Sequence, residues 1–277
     1  MFKPTARILA LVGLLLAVTS VNAQKERLMA IGGGARPPFA LTRFIQWAGS
    51  EKATLLIITW ASGEAEASFA AAAKEFQANN PAAIIHAPTL PLDSAKRAQF
   101  LEQLKSATEI YFTGGEQNRV LDVLDQDSEL KRALLAKYHA GTPFGGTSAG
   151  TAILTSPMIT GEGDFTVING SQVKTRLGLD LLPGVIMDQH FIKRQRQNRL
   201  FGLIWQHQDK LGLGIDEGAA LLIIGNRTAE VIGTSQIMMV DGRAQPGALN
   251  IRLLSHGDIL DLRTRRITHG RKVYPKQ

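Results

Sequence analysis

Residues 142–155 read Thr-Pro-Phe-Gly-Gly-Thr-Ser-Ala-Gly-Thr-Ala-Ile-Leu-Thr, and the pattern Gly-x-Ser-x-Gly within them centres on Ser148. This pattern is typical of a nucleophile elbow, a sharp turn from a strand into a helix that holds a serine hydroxyl out at the end of a sheet. Pro143 and Phe144 are predicted to end a buried strand, and residues 149–154 to begin a helix directly behind the serine. The free N–H groups at the start of such a helix suit a developing oxyanion. A glycine-rich loop with a serine that serves only solubility is the alternative, because so short a pattern recurs by chance.

Strand and helix patterns alternate on the amino-terminal side of this turn. Apolar runs predict strands at residues 28–31, 54–59, 82–87 and 109–112. Helices are predicted over residues 62–78, 94–105 and 128–140. This alternation indicates a parallel sheet with helices on both faces, in which the ligand lies beyond the carboxyl ends of the strands. The glycine pairs at 114–115 and 145–146 should therefore face one cleft.

The half of the chain beyond the elbow has a less regular pattern. Its predicted elements are a loop or lid at 159–177, a strand at 184–187 and a basic helix at 192–210. Short strands are predicted on both sides of a turn at 214–218, and the tail from Ile251 is rich in strand-forming residues. We find no linker, internal repeat or low-complexity block, so residues 24–277 are predicted to form a single domain.

The amino terminus has the features of a signal peptide. Two cations, Lys3 and Arg7, precede an apolar run over residues 8–18, and the small residues at 21–23 suit a signal peptidase. The apolar run is short for a bilayer span, although a retained anchor is the alternative. We therefore expect residues 1–23 to be removed and the protein to be exported, to a periplasm or to the extracellular space.

Composition narrows the chemistry that the protein can perform. The 277 residues include no cysteine, which excludes thiolate nucleophiles and thiolate metal sites. The formal net charge is +7, and loss of the two signal-peptide cations leaves about +5. Such an excess of positive charge favours an anionic ligand, whereas the sequence has no nucleic-acid-binding motif.

A serine nucleophile needs a general base and an acid that orients the base. Of the six histidines, His190 directly follows a predicted buried strand and has Asp188 two residues before it. Glu217 lies in a compact turn, Gly-Ile-Asp-Glu-Gly at 214–218, although an acid between glycines can serve the turn alone. Ser148, His190 and Glu217 are therefore the candidate catalytic residues. Only Asp188 and His190 have metal-ligand spacing, and no metal or other cofactor is expected.

Three motifs together resemble the cyanophycinases, in the peptidase E-like superfamily of serine peptidases. They are Gly-Gly-Thr-Ser-Ala-Gly at 145–150, Asp-Gln-His-Phe at 188–191 and Gly-Ile-Asp-Glu-Gly at 214–218. The resemblance extends from the first predicted strand to Ile224. It implies an α/β fold, a three-layer parallel-sheet sandwich of the flavodoxin-like or class I amidotransferase-like type, followed by a β-rich C-terminal tail. It also implies that Ser148 is the nucleophile, His190 the base and Glu217 the acid that orients the base.

The resemblance further implies an oxyanion hole and a substrate site. The oxyanion hole would combine the N–H of Ala149 with that of Gly114 or Gly115. The expected substrate is cyanophycin, a poly-aspartate that carries arginine on each β-carboxyl. An exported serine exopeptidase would cut it from the end into β-aspartyl-arginine dipeptides, through an acyl-enzyme on Ser148. The residues implied in substrate binding are Gln117, Asp188, Gln189, Arg194, Arg196 and Arg199.

Other functions on the same fold stay open at this point. One is an aspartyl dipeptidase that acts on short Asp-X peptides, and another is a catalytically silent ligand-binding protein. The pair Asp188-Gln189 favours the polymer, and the intact set of candidate catalytic residues favours an enzyme. The expected partner is a peptide or polymer substrate, with no nucleic acid and, after loss of the signal peptide, no membrane. Whether the chain forms a homodimer is left open.

Overall fold

A nine-stranded sheet runs through the centre of the protein in the computed structural model, which describes residues 26–163, 166–243 and 247–270. The predicted signal peptide, residues 1–23, lies outside these described residues. The strands in the described residues are β1 (Arg27–Ile31), β2 (Thr54–Ile58), β3 (Ala83–His86), β4 (Glu109–Phe112), β5 (Phe144–Thr147), β6 (Met158–Gly163), β7 (Val173–Arg176), β8 (Val185–Gln189), β9 (Leu211–Ile215), β10 (Ala219–Ile224), β11 (Thr228–Gly233), β12 (Ile237–Asp241), β13 (Asn250–Leu254), β14 (Asp258–Asp261) and β15 (Arg266–His269).

The order of strands in the large sheet is β15-β14-β11-β10-β1-β5-β4-β2-β3. Strands β1, β5, β4, β2 and β3 are parallel to one another, while β10, β11, β14 and β15 extend the sheet through antiparallel pairs. Four of the parallel strands, β1, β2, β4 and β5, are buried along nearly their whole length. This burial is expected for apolar strands that helices cover on both faces. The predicted α/β class with a mainly parallel sheet is therefore confirmed.

Six helices cover the two faces of the large sheet in the described residues, and a seventh packs on a second sheet. They are α1 (Pro38–Trp47), α2 (Ala65–Gln77), α3 (Ser94–Ser106), α4 (Gln117–Gln126), α5 (Ser128–His139), α6 (Ala149–Ala152) and α7 (Gln197–Gln206). Helices α1 and α2 bury Phe44 and Phe76 against one face, and α3 to α6 bury residues such as Phe100 and Leu134 against the other. No helix in this part of the chain is long and apolar enough to cross a membrane.

The second sheet has four strands in the order β13-β12-β9-β8. Strands β8 and β9 are parallel, and the other neighbours are antiparallel. One face of this sheet packs on α7 through Ile186 and Leu203, and the other face contributes Met187 and Leu213 to the main core. The β-rich tail divides between the two sheets, because β13 joins the small sheet while β14 and β15 join the large one.

Residues 159–177, predicted as a loop or lid, contain a β-hairpin instead. Strands β6 and β7 pair there in an antiparallel two-stranded sheet. Arg176 at the end of β7 forms ion pairs with Asp122 and Asp125 of α4, at 2.7 and 3.0 Å. The prediction of an irregular loop is wrong, because the hairpin depends on cross-strand pairing and on contacts with a distant helix, neither of which the local pattern shows.

Helix α7 is shorter than the basic helix predicted over residues 192–210. Residues 191–195 form turns before it, and the backbone of Gln195 is left-handed, with a φ of 52°. The carboxylate of Asp216 accepts hydrogen bonds from two N–H groups of this segment. The helix therefore starts late, since a distant side chain holds the preceding residues in a different conformation.

The strand before Ser148 begins at Phe144, where the sequence predicted its end. The chain turns from β5 directly into α6 at Ser148, whose φ is 53°. A Cβ on Gly146 would lie 2.2 Å from the carbonyl oxygen of Gly150, so the strand and the helix approach each other more closely than a side chain allows. Steric crowding thus explains why the Gly-x-Ser-x-Gly pattern needs glycine, and the predicted sharp strand-to-helix turn is present.

Candidate active site

Three side chains from distant parts of the chain meet at the carboxyl end of β5. The Ser148 hydroxyl oxygen lies 2.7 Å from Nε2 of His190, and Nδ1 of His190 lies 2.6 Å from a carboxylate oxygen of Glu217. Ser148 follows β5, His190 follows β8, and Glu217 lies between β9 and β10. The structure thus brings the three candidate catalytic residues into one hydroxyl–imidazole–carboxylate chain. In such a chain the imidazole can remove the hydroxyl proton.

The backbone at residues 32–34, directly after β1, supports both the imidazole and the carboxylate. Gly32 O accepts a hydrogen bond from the N–H of His190 at 2.7 Å, and Gly33 O accepts one from Gly218 at 3.1 Å. A Cβ on Gly33 would lie 2.2 Å from Cε1 of the imidazole. This role was not predicted, although three consecutive glycines at the end of the first strand are a sequence signal for such a close approach.

The imidazole of His190 lies in surroundings that keep it neutral. Burial lowers the pKa of His190 below its ordinary value, and the positive charges of Arg194 and Arg196 lower the pKa further. The hydrogen bond and the charge of Glu217 raise this pKa but do not cancel the other effects. At neutral pH the imidazole is therefore unprotonated and able to accept a proton from Ser148.

Two backbone segments flank the serine hydroxyl. Ala149 is the first residue of α6 and directly follows Ser148. Gly114, in the turn after β4, lies against the serine, since a Cβ on Gly114 would be 3.3 Å from Cβ of Ser148. Gly115 has a φ of 137°, and a Cβ there would lie 2.1 Å from the carbonyl oxygen of Ala61. Both segments thus lie beside Ser148, and the role of their N–H groups as an oxyanion hole stays a prediction.

Two of the predicted substrate contacts, Asp188 and Arg199, are buried against each other. Nε of Arg199 donates to one oxygen of Asp188 at 2.6 Å, and Nη2 donates to the other oxygen. The side chains of Arg199 and Asp188 are only 2% and 1% exposed. A substrate cannot reach a carboxylate that is enclosed by protein and already paired. The expectation that these two residues touch the substrate is therefore corrected: they form an internal ion pair between α7 and β8.

The other four predicted contacts divide between buried and accessible side chains. Gln117 is buried and donates from Nε2 to a backbone carbonyl of β6 at 2.8 Å. Gln189 is also buried, and its side-chain oxygen accepts a hydrogen bond from Arg196. Arg196 is partly exposed and Arg194 is exposed, and burial lowers the pKa of Arg196 to about 10. Arg194 and Arg196 are therefore the members of the predicted set that a solute reaches most easily.

The fold and the chain of Ser148, His190 and Glu217 define a serine-type peptidase on an α/β scaffold. The protein belongs to peptidase family S51, whose sequence profile matches residues 28–231. It is 33% identical over 266 residues to the cyanophycinase of Synechococcus elongatus, across 90% of this chain and 83% of that protein. It is 28% identical over 271 residues to the cyanophycinase of Trichormus variabilis, across 91% of each chain. The resemblance seen in the three sequence motifs is therefore confirmed.

Solved structures of related shape agree with this assignment of the fold. A crystal structure of a peptidase from an acI-B1 Actinobacterium superposes with a TM-score of 0.65 at 20% identity, covering 85% of this chain and 96% of that one. A putative peptidase E protein from Listeria monocytogenes EGD-e superposes with a TM-score of 0.53 at 16% identity, covering 83% and 99%. At these identities the likeness concerns the fold alone, and it confirms the predicted peptidase E-like arrangement.

Replacement of Arg194 by glutamine is predicted to raise the pKa of His190, because it removes a positive charge near the imidazole. Only the neutral imidazole accepts the serine proton, so the reaction rate falls when the imidazole is protonated. This fall on the acidic side of the pH–rate profile, the acid limb, should therefore move to higher pH. The shift should be smaller than about one pH unit, since exposed charges contribute about 1 kcal/mol or less. The measurement is the rate at which a fluorophosphonate labels Ser148 across an acid-to-neutral pH series. Arg132→Gln, an exposed arginine on α5, is the control and should leave the limb in place; an unmoved limb in Arg194→Gln contradicts the prediction.

Replacement of Arg199 by methionine is predicted to destabilise the fold, because it leaves the Asp188 carboxylate buried without its partner. The free energy of unfolding should fall by about 3–5 kcal/mol. Urea denaturation followed by far-ultraviolet circular dichroism measures the change. The control Arg194→Met removes an exposed arginine and should change the free energy by less than about 0.5 kcal/mol. Equal and small effects of the two substitutions would show that Arg199 does not form a structural ion pair.

Proposed function

We propose that this peptidase is a serine exopeptidase that hydrolyses cyanophycin, or related β-aspartyl polymers, to β-aspartyl-arginine dipeptides. The observation that carries the proposal is the hydrogen-bonded chain from Ser148 through His190 to Glu217. The substrate class is supported by the relatives named cyanophycinases, which match 90% and 91% of this chain. The geometry thus supports the type of chemistry, and the relatives support the type of polymer.

In the first half of the proposed reaction, Ser148 attacks an amide carbonyl of the substrate. Glu217 accepts the Nδ1–H of His190, so the lone pair of Nε2 faces the serine hydroxyl. As the serine oxygen bonds to the carbonyl carbon, Nε2 takes the hydroxyl proton. The tetrahedral intermediate then expels the amine, which receives that proton from His190, and an ester on Ser148 remains.

In the second half, water resolves the ester. Nε2 of His190 accepts a proton from the water, the hydroxide equivalent bonds to the ester carbon, and the proton returns to the serine oxygen as the acid product leaves. In both halves negative charge develops on the carbonyl oxygen. The N–H of Ala149, with that of Gly114 or Gly115, would donate to this oxygen, and each such donor is worth about 3 kcal/mol of transition-state stabilisation.

Substrate recognition in this proposal depends on the two accessible arginines rather than on the full predicted set. An arginine attached through its amino group keeps its own carboxylate, so the polymer presents many anionic groups. Arg194 and Arg196 lie close enough to His190 to affect its pKa, and planar guanidinium groups bind carboxylates in a bidentate manner. The Asp188–Arg199 pair then acts indirectly, because Arg199 and Arg196 both contact the side-chain oxygen of Gln189.

Replacement of Ser148 by alanine is predicted to abolish release of β-aspartyl-arginine from cyanophycin granules. The rate should fall on the order of 10⁴-fold or more, because the nucleophile of the reaction is lost. Released dipeptide is measured by mass spectrometry, with the same variants tested on α-linked Asp-X dipeptides. The control Ser106→Ala removes an exposed serine at the end of α3 and should keep the wild-type rate.

The outcomes of this experiment separate the competing functions. Release of dipeptide by the wild-type protein and not by Ser148→Ala supports the proposal. Hydrolysis of Asp-X dipeptides without action on the polymer would instead identify an aspartyl dipeptidase. Absence of any hydrolysis, together with failure of a fluorophosphonate to label Ser148, would indicate a catalytically silent ligand-binding protein.

We propose in addition that the peptidase is exported after removal of residues 1–23. The support is the pair of cations, the apolar run and the small residues at 21–23 of the sequence. When the full chain is expressed in a bacterium with two membranes, the periplasmic product should begin at Gln24, as determined by mass spectrometry. A variant that lacks residues 2–23 should stay inside the cell. Full-length protein found only in the cytoplasm would contradict the proposal.

A further inference from the structure

Asp216, the residue directly before Glu217, is buried between two loops of the site. Its Oδ1 accepts hydrogen bonds from the N–H groups of Ile192 and Lys193, at 3.1 and 2.9 Å. Its Oδ2 accepts a hydrogen bond from the Ser235 hydroxyl at 3.2 Å. Three donors thus converge on one carboxylate, and the residue is only 8% exposed. Hydrogen bonds to an ionised carboxylate are stronger than those between neutral groups.

The two loops that Asp216 joins each carry one member of the hydrogen-bonded chain. The first loop begins at His190, whose backbone is left-handed, with a φ of 49°. The second loop contains Asp216 itself and then Glu217. The pairing of β8 with β9 ends at Gln189 and Ile215, directly before both loops. Beyond that pair, the Asp216 side chain ties one loop to the other.

The contact between His190 and Glu217 is sensitive to the spacing of these loops. The imidazole nitrogen and the carboxylate oxygen are 2.6 Å apart, so a small displacement of either loop breaks their hydrogen bond. A misplacement of about 1 Å at a catalytic group can cost about 100-fold in rate. A side chain that fixes the spacing therefore influences the reaction without contacting the reacting atoms.

We infer that Asp216 is a positioning residue, which holds the turn after His190 against the Glu217 loop and so keeps the imidazole oriented toward Ser148. This inference rests on the proposed function, because it concerns the same nucleophile and the same base. Asp216 acts through the backbone of its neighbours, and the reacting groups remain those of the hydroxyl–imidazole–carboxylate chain.

A second buried aspartate offers a matched control for a purely structural role. Asp258, at the start of β14, accepts a hydrogen bond from the N–H of Ser255 at 2.8 Å and is 3% exposed. Strand β14 is separated from β1 by β11 and β10, so Asp258 belongs to a different part of the large sheet. Its loss should reduce stability without changing the geometry around His190.

The test compares Asp216→Ala, Asp216→Asn and Asp258→Ala in the full chain, by the rate at which a fluorophosphonate labels Ser148. Asp216→Ala should be labelled about 10- to 100-fold more slowly per folded molecule, because the two N–H groups lose their acceptor and the loops separate. Asp216→Asn should stay within about fivefold of the wild type, since its amide oxygen still accepts from both N–H groups. Asp258→Ala should lower the thermal unfolding temperature and keep the wild-type rate.

The pH dependence of labelling separates positioning from a general loss of stability. Burial and the charges of Arg194 and Arg196 lower the pKa of His190, and contact with Glu217 raises it. If Glu217 withdraws in Asp216→Ala, this pKa falls further, and the acid limb of labelling moves to lower pH. In Asp216→Asn and Asp258→Ala, the acid limb of labelling should stay at the wild-type pH.

If Asp216→Ala is labelled at the wild-type rate with the wild-type pH profile, the inference is overturned. Slow labelling whose pH profile keeps the wild-type acid limb would also overturn it, because this result indicates a purely structural role. Labelling of Asp216→Asn as slow as that of Asp216→Ala would also overturn it. If Asp216→Ala does not fold, Asp216→Glu keeps the charge but moves the oxygens by one methylene, and it should show the slowed rate and the moved limb. Wild-type behaviour of Asp216→Glu would then overturn the inference. Failure of the wild-type protein to be labelled would overturn the proposed function itself.

Discussion

The packing of an imidazole against a backbone without side chains is the constraint on which the site depends. The His190 ring lies on this segment, because a Cβ on Gly33 would occupy the place of the ring. A Cβ on Gly34 would lie 3.0 Å from the Glu217 carboxylate, and one on Gly32 would overlap the backbone of residues 215 and 216. Carbonyl groups of the same segment accept hydrogen bonds from the backbone N–H groups of His190 and Gly218. The segment continues β1, which pairs in parallel with β5, the strand that leads to Ser148. One strand end therefore sets the relative positions of the hydroxyl, the imidazole and the carboxylate.

The site combines elements of two sheets, and its supporting ion pair belongs to the smaller one. Ser148 follows a strand of the large sheet, whereas His190 follows β8 of the small sheet. Helix α6 lies between these strands and contacts both β5 and β8. The buried Asp188–Arg199 pair links α7 to β8 next to His190. Charged residues that resemble ligand contacts in the sequence thus hold together the framework around the base.

The sequence alone predicted the features of this protein that have local causes. Apolar runs marked the parallel strands, and small residues on both sides of Ser148 marked the sharp turn. Features with distant partners could not be predicted in this way. The pairing of Asp188 with Arg199 depends on their enclosure by the fold, and the late start of α7 depends on Asp216. The run of glycines at 32–34 signals a close approach by some group, but the identity of that group, the His190 ring at Gly33 and the Glu217 side chain at Gly34, depends on the fold.

The connection from β9 to β10 crosses from the small sheet to the large one in three residues, 216–218. A ribosome makes Ser148 well before this crossing, so a growing chain carries the hydroxyl without its base and without the acid behind that base. The hydroxyl, the imidazole and the carboxylate meet only when both sheets have formed and docked. The order of synthesis thus keeps the three groups apart until the second half of the chain has been made.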